Sequence, residues 1–376
     1  MQIALIEPYL VNYSGHYYNF VTELRRGFLE VDNRDVINIF VPRNCIIENG
    51  SFLKILPENK SLKGKNLFLK IFEVMSFLFK FYHALREIEK SHDILFFTTA
   101  DGFKLLLLLC NISLKKRTFL YSHTFFLYQK ERVILKFARP RSDSVYIITP
   151  IELKTEHMNI IEIIKKKKFN LKSNAPYPSH LVEKFELLQT NKSVFYVSYL
   201  GAASKAKGFI ETVKFIEYCK ENQISDYSFI LQVIGNYDPE IEKYIQIVKK
   251  RLFDRVMVIE HDLPNQEYKR FLQKSSILLL LYDPVIYRNS ISSILLEAFS
   301  FSKPVITRGG SWLAEQVSKY GGGVIVEDTR PETIRFVVER IKNYYERYVR
   351  EAFEAGTELS KKYNSVELAR LIKNEF

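Results

Sequence analysis

With 376 residues, the chain is long enough for two domains of ordinary size, and its 47% hydrophobic content excludes an intrinsically disordered protein. No uncharged apolar run approaches the roughly 18 residues that a membrane-spanning helix needs, and Glu7-Pro8 directly after the first apolar run argues against a signal peptide. The net charge of +12 indicates an anionic partner, which can be a nucleotide sugar, an anionic lipid surface or nucleic acid.

The first half of the chain alternates apolar, β-rich runs with helical stretches, a pattern that predicts a parallel sheet. The predicted strands are Ile3–Ile6, Val36–Val41, Ile94–Thr98, Thr118–Tyr121 and Val145–Ile148. The predicted helices are Tyr17–Leu29, Leu67–Lys90, Gly102–Cys110, Glu131–Arg139 and Ile151–Met158. Pro176 and Pro178 then predict a stiff connector.

After this connector the same alternation begins again. The predicted strands are Val194–Tyr199, Phe229–Ile234, Val256–Ile259, Ile277–Leu281, Val305–Ile306 and Gly323–Val326. The predicted helices are Gly208–Glu221, Glu240–Arg251, Asn265–Lys274, Ser290–Phe301, Ser311–Lys319 and Pro331–Tyr345, followed by further helix. We therefore expect an α/β protein with domains over residues 1–178 and 179–355, and a C-terminal helix over 356–376 that crosses back to the first domain.

Residues 289–298 combine the features of a phosphate site with a buried-looking carboxylate. Ser290 and Ser292 are good N-cap residues, and a helix that begins there directs its amides and positive dipole end toward an anion. Ser293 and Glu297 share one face with Ser290, and the Glu297 side chain leans back toward the helix start. A diphosphate on the amides and sugar hydroxyls on the carboxylate fit a nucleotide, although an ordinary βα turn carries the same pattern.

Glu297-Ala298 and the run Lys303-Pro304-Val305-Ile306 resemble the donor-site signature of the glycosyl transferases group 1 family, which are retaining enzymes of the two-domain GT-B fold. That signature places another Glu eight residues before the second one, and this chain has Asn289 there. The resemblance implies two Rossmann-like domains facing across a cleft, a UDP- or GDP-sugar donor and no metal. It also implies that Glu297 contacts the ribose and that Asn289 contacts the donor sugar without a charge.

The loop over residues 199–208 resembles the family loop in which an Arg and a Lys-Gly pair bind the donor diphosphate. Lys207-Gly208 matches the pair, and Gly201 lies where the backbone turns after a strand. Ala202 stands at the Arg position, so that Lys205 is a candidate for the missing charge. Arg288 is a further phosphate candidate. Solvated loop lysines and a surface arginine are the alternative interpretations.

The first domain contributes three candidates. Gly15 and His16 follow the first strand, where the family has a glycine-bearing loop close to the donor diphosphate and the acceptor. His123 ends another predicted strand, and in related enzymes a histidine at this place contacts the donor sugar. The resemblance thus assigns catalysis to His123, Lys207 and Glu297, while a structural role for His123 is the alternative.

Residues 66–82 are apolar around most of a helix, with one narrow polar stripe. This pattern fits either a buried helix or one that lies in a membrane interface, where nearby lysines such as Lys60 and Lys65 meet anionic lipid. Cys45, Cys110 and Cys219 lie far apart in the sequence and do not have the spacing of metal ligands, which favours a protein of the reducing cytoplasm. Together with the apolar helix, this predicts a location at the inner face of the plasma membrane.

The resemblance implies transfer of a sugar to a glycan acceptor, lipid-linked, in bacterial cell-surface polysaccharide biosynthesis. Asn289 and Ala202 motivate an alternative, a non-catalytic GT-B homologue that acts as a membrane-associated scaffold or partner. An NAD-dependent oxidoreductase is disfavoured because no Gly-x-Gly-x-x-Gly follows the first strand. Nucleic acid is disfavoured as a partner because the basic residues are scattered.

Overall fold

The computed structural model describes residues 1–13, 15–60, 62, 64–100, 109, 112–123, 129–138, 144–178, 194–235, 239–250 and 255–375. The chain forms two compact units, Met1–His180 together with Tyr363–Phe376, and Leu181–Lys362. Apart from residue 109, the predicted helix Gly102–Cys110 lies outside the described residues.

The first unit is built on a sheet of seven parallel strands. Its strands are β1 (Gln2–Ile6), β2 (Val36–Pro42), β3 (Phe52–Leu56), β4 (Ile94–Phe97), β5 (Arg117–Tyr121), β6 (Val145–Ile148) and β7 (Asn170–Lys172). They lie in the order β3-β2-β1-β4-β5-β6-β7, so the direction of chain progression reverses between β1 and β4. All four side chains of β4 are buried, and since they alternate between the faces, both faces of the sheet are covered there.

The described residues before the second unit also form the helices α1 (Gly15–Val31), α2 (Leu67–Ser91), α3 (Gln129–Phe137) and α4 (Met158–Lys166). The helix predicted over Ile151–Met158 is wrong, because a 3-10 turn covers Thr155–His157 and α4 begins only at Met158. The buried side chains of α4 are Ile160 and Ile164, four residues apart, so its core-facing stripe lies beyond the predicted span.

The second unit repeats the design with six parallel strands. They are β8 (Tyr196–Tyr199), β9 (Ser228–Gln232), β10 (Val256–Ile259), β11 (Ile277–Leu280), β12 (Val305–Arg308) and β13 (Gly323–Val326). Their order, β10-β9-β8-β11-β12-β13, reverses between β8 and β11. Ligands of open α/β sheets bind outside the carboxyl ends of the strands at such a switch point. The fold therefore directs attention to the loops that follow β8 and β11.

In the part of the second unit that the structure describes, the helices are α5 (Phe209–Glu221), α6 (Pro239–Lys250), α7 (Asn265–Lys274), α8 (Pro284–Tyr287), α9 (Ser293–Ser300), α10 (Trp312–Tyr320), α11 (Pro331–Asn343) and α12 (Tyr345–Lys362). The predicted start of α9 at Ser290 is wrong by three residues. Asp283 caps the short α8, and the chain leaves helical geometry before Ser292 caps α9 by accepting a hydrogen bond from the Leu295 amide at 3.4 Å.

The last helix, α13 (Ser365–Asn374), returns to the first unit and packs against α1. A Cβ on Gly27 would lie 2.4 Å from the Ser365 carbonyl oxygen, so only glycine allows this close approach. Lys373 pairs with Asp35 at 2.7 Å, and the N-terminal amine pairs with the same carboxylate at 3.0 Å. Residues 356–362, expected in the returning segment, instead end α12 in the second unit.

Candidate donor site in the second unit

The loops that follow β8 and β11 meet at the switch point of the second sheet. Gly201 has a φ of +113°, and a Cβ there would lie 2.9 Å from Ile294 Cδ1 and 3.7 Å from Lys207 Nζ. The Asp283 amide donates a hydrogen bond to the Ala206 carbonyl at 2.9 Å. The glycine thus lets the loop after β8 lie directly against the start of α9.

Gly208 allows the loop after β8 to pack closely against the residue that follows β11. Its φ of +74° is in the left-handed region, and a Cβ would lie 2.4 Å from the Leu281 carbonyl oxygen at the end of β11. The residues before it, Lys205–Lys207, form a single 3-10 turn. Because turn and strand are held together here, the backbone that carries Lys207 is fixed beside the switch point.

Lys207 is the half-buried cation of this site. Its Nζ lies 5.9 Å from the centroid of the Tyr282 ring, a distance typical of cation–π contact. Burial lowers the pKa of Lys207, and the carboxylate of Glu297 raises it. Lys207 and Glu297 are therefore close enough to interact electrostatically.

Glu297 is a buried carboxyl on α9, with only 6% of its surface exposed. The Tyr268 hydroxyl on α7 donates a hydrogen bond to Glu297 Oε2 at 2.5 Å. Burial raises the pKa of Glu297 to about 7, while the Tyr268 hydrogen bond and Lys207 lower it. The group can thus change its charge near neutral pH, and its ionised form suits hydroxyl donors such as those of a sugar.

The start of α9 supplies the other feature of an anion site. The Ser292 hydroxyl caps the helix by accepting a hydrogen bond from the Leu295 amide. The amides of the first turn have no acceptor within the helix, and the positive end of the dipole lies there. Ser293, the first helical residue, is half-buried. This arrangement favours a bound negative charge.

The remaining candidates of this unit are placed differently. Lys205 forms an ion pair with Glu240 on α6. The Ser290 hydroxyl donates to the Ile286 carbonyl at 3.4 Å and is buried. Arg288 is exposed and Asn289 is half-buried. The structure thus brings together Gly201, Lys207, Ser292 and Glu297, whereas Lys205 and Ser290 have partners of their own.

Three residues that sequence reasoning missed complete the site: Tyr268, Tyr282 and Gln232. Gln232 Oε1 accepts the Gly201 amide at 2.7 Å, and its Nε2 donates to the His261 carbonyl at 3.3 Å, so it joins two strand-end loops. A polar residue at the end of the apolar strand Phe229–Gln232 was a usable signal. Nothing in the sequence around Tyr268 indicated that its hydroxyl reaches Glu297.

The candidates of the first unit lie beside the carboxyl ends of its strands. His123 follows β5, with its Nε2 2.8 Å from the Thr98 carbonyl oxygen. Gly15 and His16 are the first residues of α1, the helix after β1. Among the described residues of either unit, no group of three or more His, Cys, Asp or Glu side chains could hold a metal ion.

Comparison with known proteins assigns this architecture. Residues 183–353, nearly all of the second unit, match the family described as Glycosyl transferases group 1. The whole chain also superposes on solved structures at low sequence identity. Sucrose-phosphate synthase from Thermosynechococcus elongatus aligns over 100% of this chain and 98% of its own, with 14% identity and a TM-score of 0.65.

Two further structures give the same picture. An E. coli structure described as trehalose-6-phosphate bound with UDP-2-fluoro glucose aligns over 100% of this chain and 98% of its own, with 8% identity and a TM-score of 0.70. WaaG, a glycosyltransferase involved in lipopolysaccharide biosynthesis, aligns over 99% of both chains, with 12% identity and a TM-score of 0.62.

No curated protein matches the sequence. At identities of 8–14% the structural likeness establishes the fold alone. Residues 183–353 thus match the glycosyl transferases group 1 family, and the chain as a whole has the GT-B glycosyltransferase fold.

Proposed function

We propose that this protein is a retaining glycosyltransferase that moves a sugar from a UDP- or GDP-sugar to a hydroxyl of a lipid-linked glycan in bacterial cell-surface polysaccharide assembly. The observation that carries the donor assignment is the grouping of Lys207, the start of α9 and Glu297 at the switch point. The neighbours described with a UDP-sugar analogue and with lipopolysaccharide biosynthesis support the donor and the acceptor class.

The proposed step is a front-face displacement. The bond between the anomeric carbon and the diphosphate oxygen breaks, the acceptor oxygen bonds to the same face, and the acceptor proton passes to the departing phosphate. Negative charge grows on the diphosphate, where Lys207 and the first amides of α9 would stabilise it. Glu297 would accept hydrogen bonds from the ribose hydroxyls, Asn289 would contact the donor sugar, and His123 would act beside the reacting carbon.

The donor and the stereochemistry are tested together. Thermal unfolding is measured with UDP, GDP, dTDP and their sugars, because a ligand that binds the native state raises the unfolding temperature. The donor that does so is incubated with a glycan acceptor, and the anomeric configuration of the product is read from its proton coupling by NMR. Retention supports the proposal. An inverted product, or no stabilisation by any nucleotide, contradicts it.

The acceptor assignment draws support from α2, whose first half presents an apolar surface. We call it the α2 apolar face and define it by five side chains that are 60–76% exposed: Leu67, Phe68, Phe72, Met75 and Phe79. A cavity of about 890 Å³ joins two of these phenylalanines to Lys60 and Lys80, and its lining also includes three glutamates, Glu58, Glu73 and Glu87. None of the described helices is long and apolar enough to cross a bilayer.

An exposed aromatic face bordered by lysines suits the surface of an anionic bilayer. We infer peripheral contact with the cytoplasmic face of such a membrane, where a lipid-linked acceptor is held. This contact is tested with vesicles of phosphatidylglycerol and of phosphatidylcholine. The triple variant Phe68→Ser, Phe72→Ser, Phe79→Ser should lose about tenfold or more of its binding to the anionic vesicles.

The matched control is Phe336→Ser, since Phe336 is 70% exposed but lies on α11 of the second unit. It should bind vesicles like the wild type. Equal binding by the triple variant and the wild type would refute the membrane contact.

A further inference from the structure

The carboxyl edge of the first sheet holds a buried carboxyl that the proposed reaction does not use. Glu7 follows β1 directly and is 0% exposed. Its Oε2 accepts hydrogen bonds from the Thr98 hydroxyl at 2.6 Å and the Thr99 hydroxyl at 2.7 Å. Its Oε1 accepts the Tyr9 amide at 2.9 Å. A carboxyl surrounded in this way has a defined orientation and no access to solvent.

Glu7 lies at the edge of the sheet where open α/β folds bind their ligands. β1 and β4 are neighbours, and the strand order reverses between them, so Glu7, Thr98 and Thr99 lie at the switch point of the first sheet. Because Glu7 is sealed, it cannot touch a substrate directly. Any effect it has on the reaction must therefore pass through the residues that enclose it.

Two of the residues that enclose Glu7, Thr98 and Thr99, also contact His123. Its Nε2 lies 2.8 Å from the Thr98 carbonyl oxygen and 3.4 Å from the Thr99 hydroxyl. A carbonyl oxygen can only accept, so Nε2 carries a proton and the ring gains or loses its second proton at Nδ1. The Thr99 hydroxyl donates to Glu7 and so turns its lone pairs toward other donors. The carboxyl and the imidazole are thus two hydrogen-bonded steps apart.

The surroundings of His123 make a nearby negative charge important. The rings of Phe20, Tyr121 and Tyr177 lie edge-on, with centroids 5.1, 5.1 and 5.9 Å from the imidazole. Aromatic walls disfavour an imidazolium unless an anion compensates. Glu7 is the carboxylate that the described hydrogen bonds connect to this ring.

We propose that Glu7 is a positioning residue for His123: through Thr98 and Thr99 it holds the Nε2–H tautomer, and when ionised it stabilises the imidazolium formed at Nδ1. The role of His123 in transfer belongs to the proposed function, on which this inference rests. Burial raises the pKa of Glu7 to about 7, so its charge, and with it this stabilisation, increases across the neutral range.

The test uses Glu7→Gln, which keeps the size of the side chain and removes its charge. Histidine-labelled protein is titrated by ¹⁵N NMR without any donor, with His123 identified by its loss in His123→Gln. In the wild type, His123 should show the Nε2–H tautomer. In Glu7→Gln, its titration midpoint should fall by about one pH unit. An unchanged tautomer and an unchanged midpoint would overturn the inference.

A second pair of variants keeps the test decisive if Glu7→Gln does not fold. Thr99→Val removes the hydroxyl that links the carboxyl to the ring, whereas Thr99→Ser retains it. The valine variant should lower the His123 midpoint, and the serine variant should restore it. If valine and serine give the same midpoint as the wild type, the link has no function.

Turnover separates this inference from the proposed function. Glu7→Gln should lower kcat about tenfold while the KM for the donor changes less than twofold. If the wild type transfers no sugar from any donor, the proposed function fails, whereas the NMR titration still decides whether Glu7 governs His123. A Glu7→Gln variant with wild-type kcat across the neutral range would contradict the positioning role.

Discussion

Each of the two sheets of this protein has a buried carboxyl near its switch point. Glu7 and Glu297 both belong to the switch point of their sheet, both accept a hydroxyl hydrogen bond, and burial raises the pKa of each to about 7. In each sheet a carboxyl is therefore held where water is excluded, and this burial disfavours its ionised form.

The two carboxyls differ in the groups that surround them. Glu297 interacts with the ammonium of Lys207 and lies on the helix whose start favours an anion. Glu7 is enclosed by two threonine hydroxyls and a backbone amide, and no cation forms an ion pair with it among the described residues. The comparison teaches that a nearby cation and a helix start distinguish Glu297, whereas hydroxyls and a backbone amide hold Glu7 in place.

The largest expected effect is on the transfer rate and comes from removing the cation of the second site. Lys207→Met keeps a long apolar stem but removes the ammonium that would stabilise the departing diphosphate. The transfer rate should fall about 100- to 1000-fold, as for loss of one preorganised electrostatic group. Steady-state assays with the identified donor measure it.

Lys205→Met is the matched control, because Lys205 lies in the same 3-10 turn but pairs with Glu240. It should retain at least half of the wild-type rate. A comparable loss in both variants would mean that the turn acts through its summed charge and that Lys207 has no special position.

The next effect concerns the backbone that carries Lys207. Gly208→Ala places a Cβ 2.4 Å from the Leu281 carbonyl oxygen and forces φ of +74° on alanine, so it should lower the free energy of unfolding by about 3 kcal/mol. Gly64→Ala has a similar φ of +76° with no atom within 4 Å of the new Cβ, and should cost only about 1 kcal/mol. Denaturant unfolding followed by circular dichroism compares them, and equal losses would refute the close approach.

The pH dependence of stability sharpens the comparison further. The pKa of Glu297 is about 7 in the folded protein against an ordinary value of 4.5, so the folded state binds more protons between these pH values. Its contribution to the free energy of unfolding is therefore fully present below pH 4.5 and is lost as the pH rises to about 7, with a total change of at most about 3 kcal/mol.

Glu297→Gln removes this dependence, so the variant should gain stability relative to the wild type between pH 5 and pH 8. The chain has one tryptophan, Trp312, buried on α10, and its fluorescence reports unfolding of the second unit. A constant difference between variant and wild type at both pH values would mean that Glu297 does not titrate in this range.

Much of the fold was predictable because short apolar runs bounded by turn residues indicate strands even where the strands are only partly buried. Val145–Ile148, Val256–Ile259 and Gly323–Val326 have the bounds that the sequence predicted. The strand Phe52–Leu56 was missed, since three of its five side chains are exposed and little periodicity remains. The strand Asn170–Lys172 was missed as well, because it has only three residues and all of its side chains are partly exposed.

The candidate site was predictable only in part. Ser292 caps its helix as predicted, because capping is a local interaction that the sequence records. Lys205 was grouped with Lys207, yet its partner Glu240 comes from a helix 35 residues away, and such pairing has no local signal. The hydrogen bond from Tyr268 to Glu297 and the enclosure of Glu7 likewise depend on tertiary packing.

Calorimetric binding of UDP and GDP, each beside its free nucleoside, to the wild type and to Lys207→Met tests most directly that the second switch point binds a nucleoside diphosphate. In the wild type, one diphosphate should bind about 10- to 100-fold more tightly than its nucleoside, and Lys207→Met should lose most of that gain while nucleoside affinity stays the same. An equal diphosphate gain in both proteins would contradict the account.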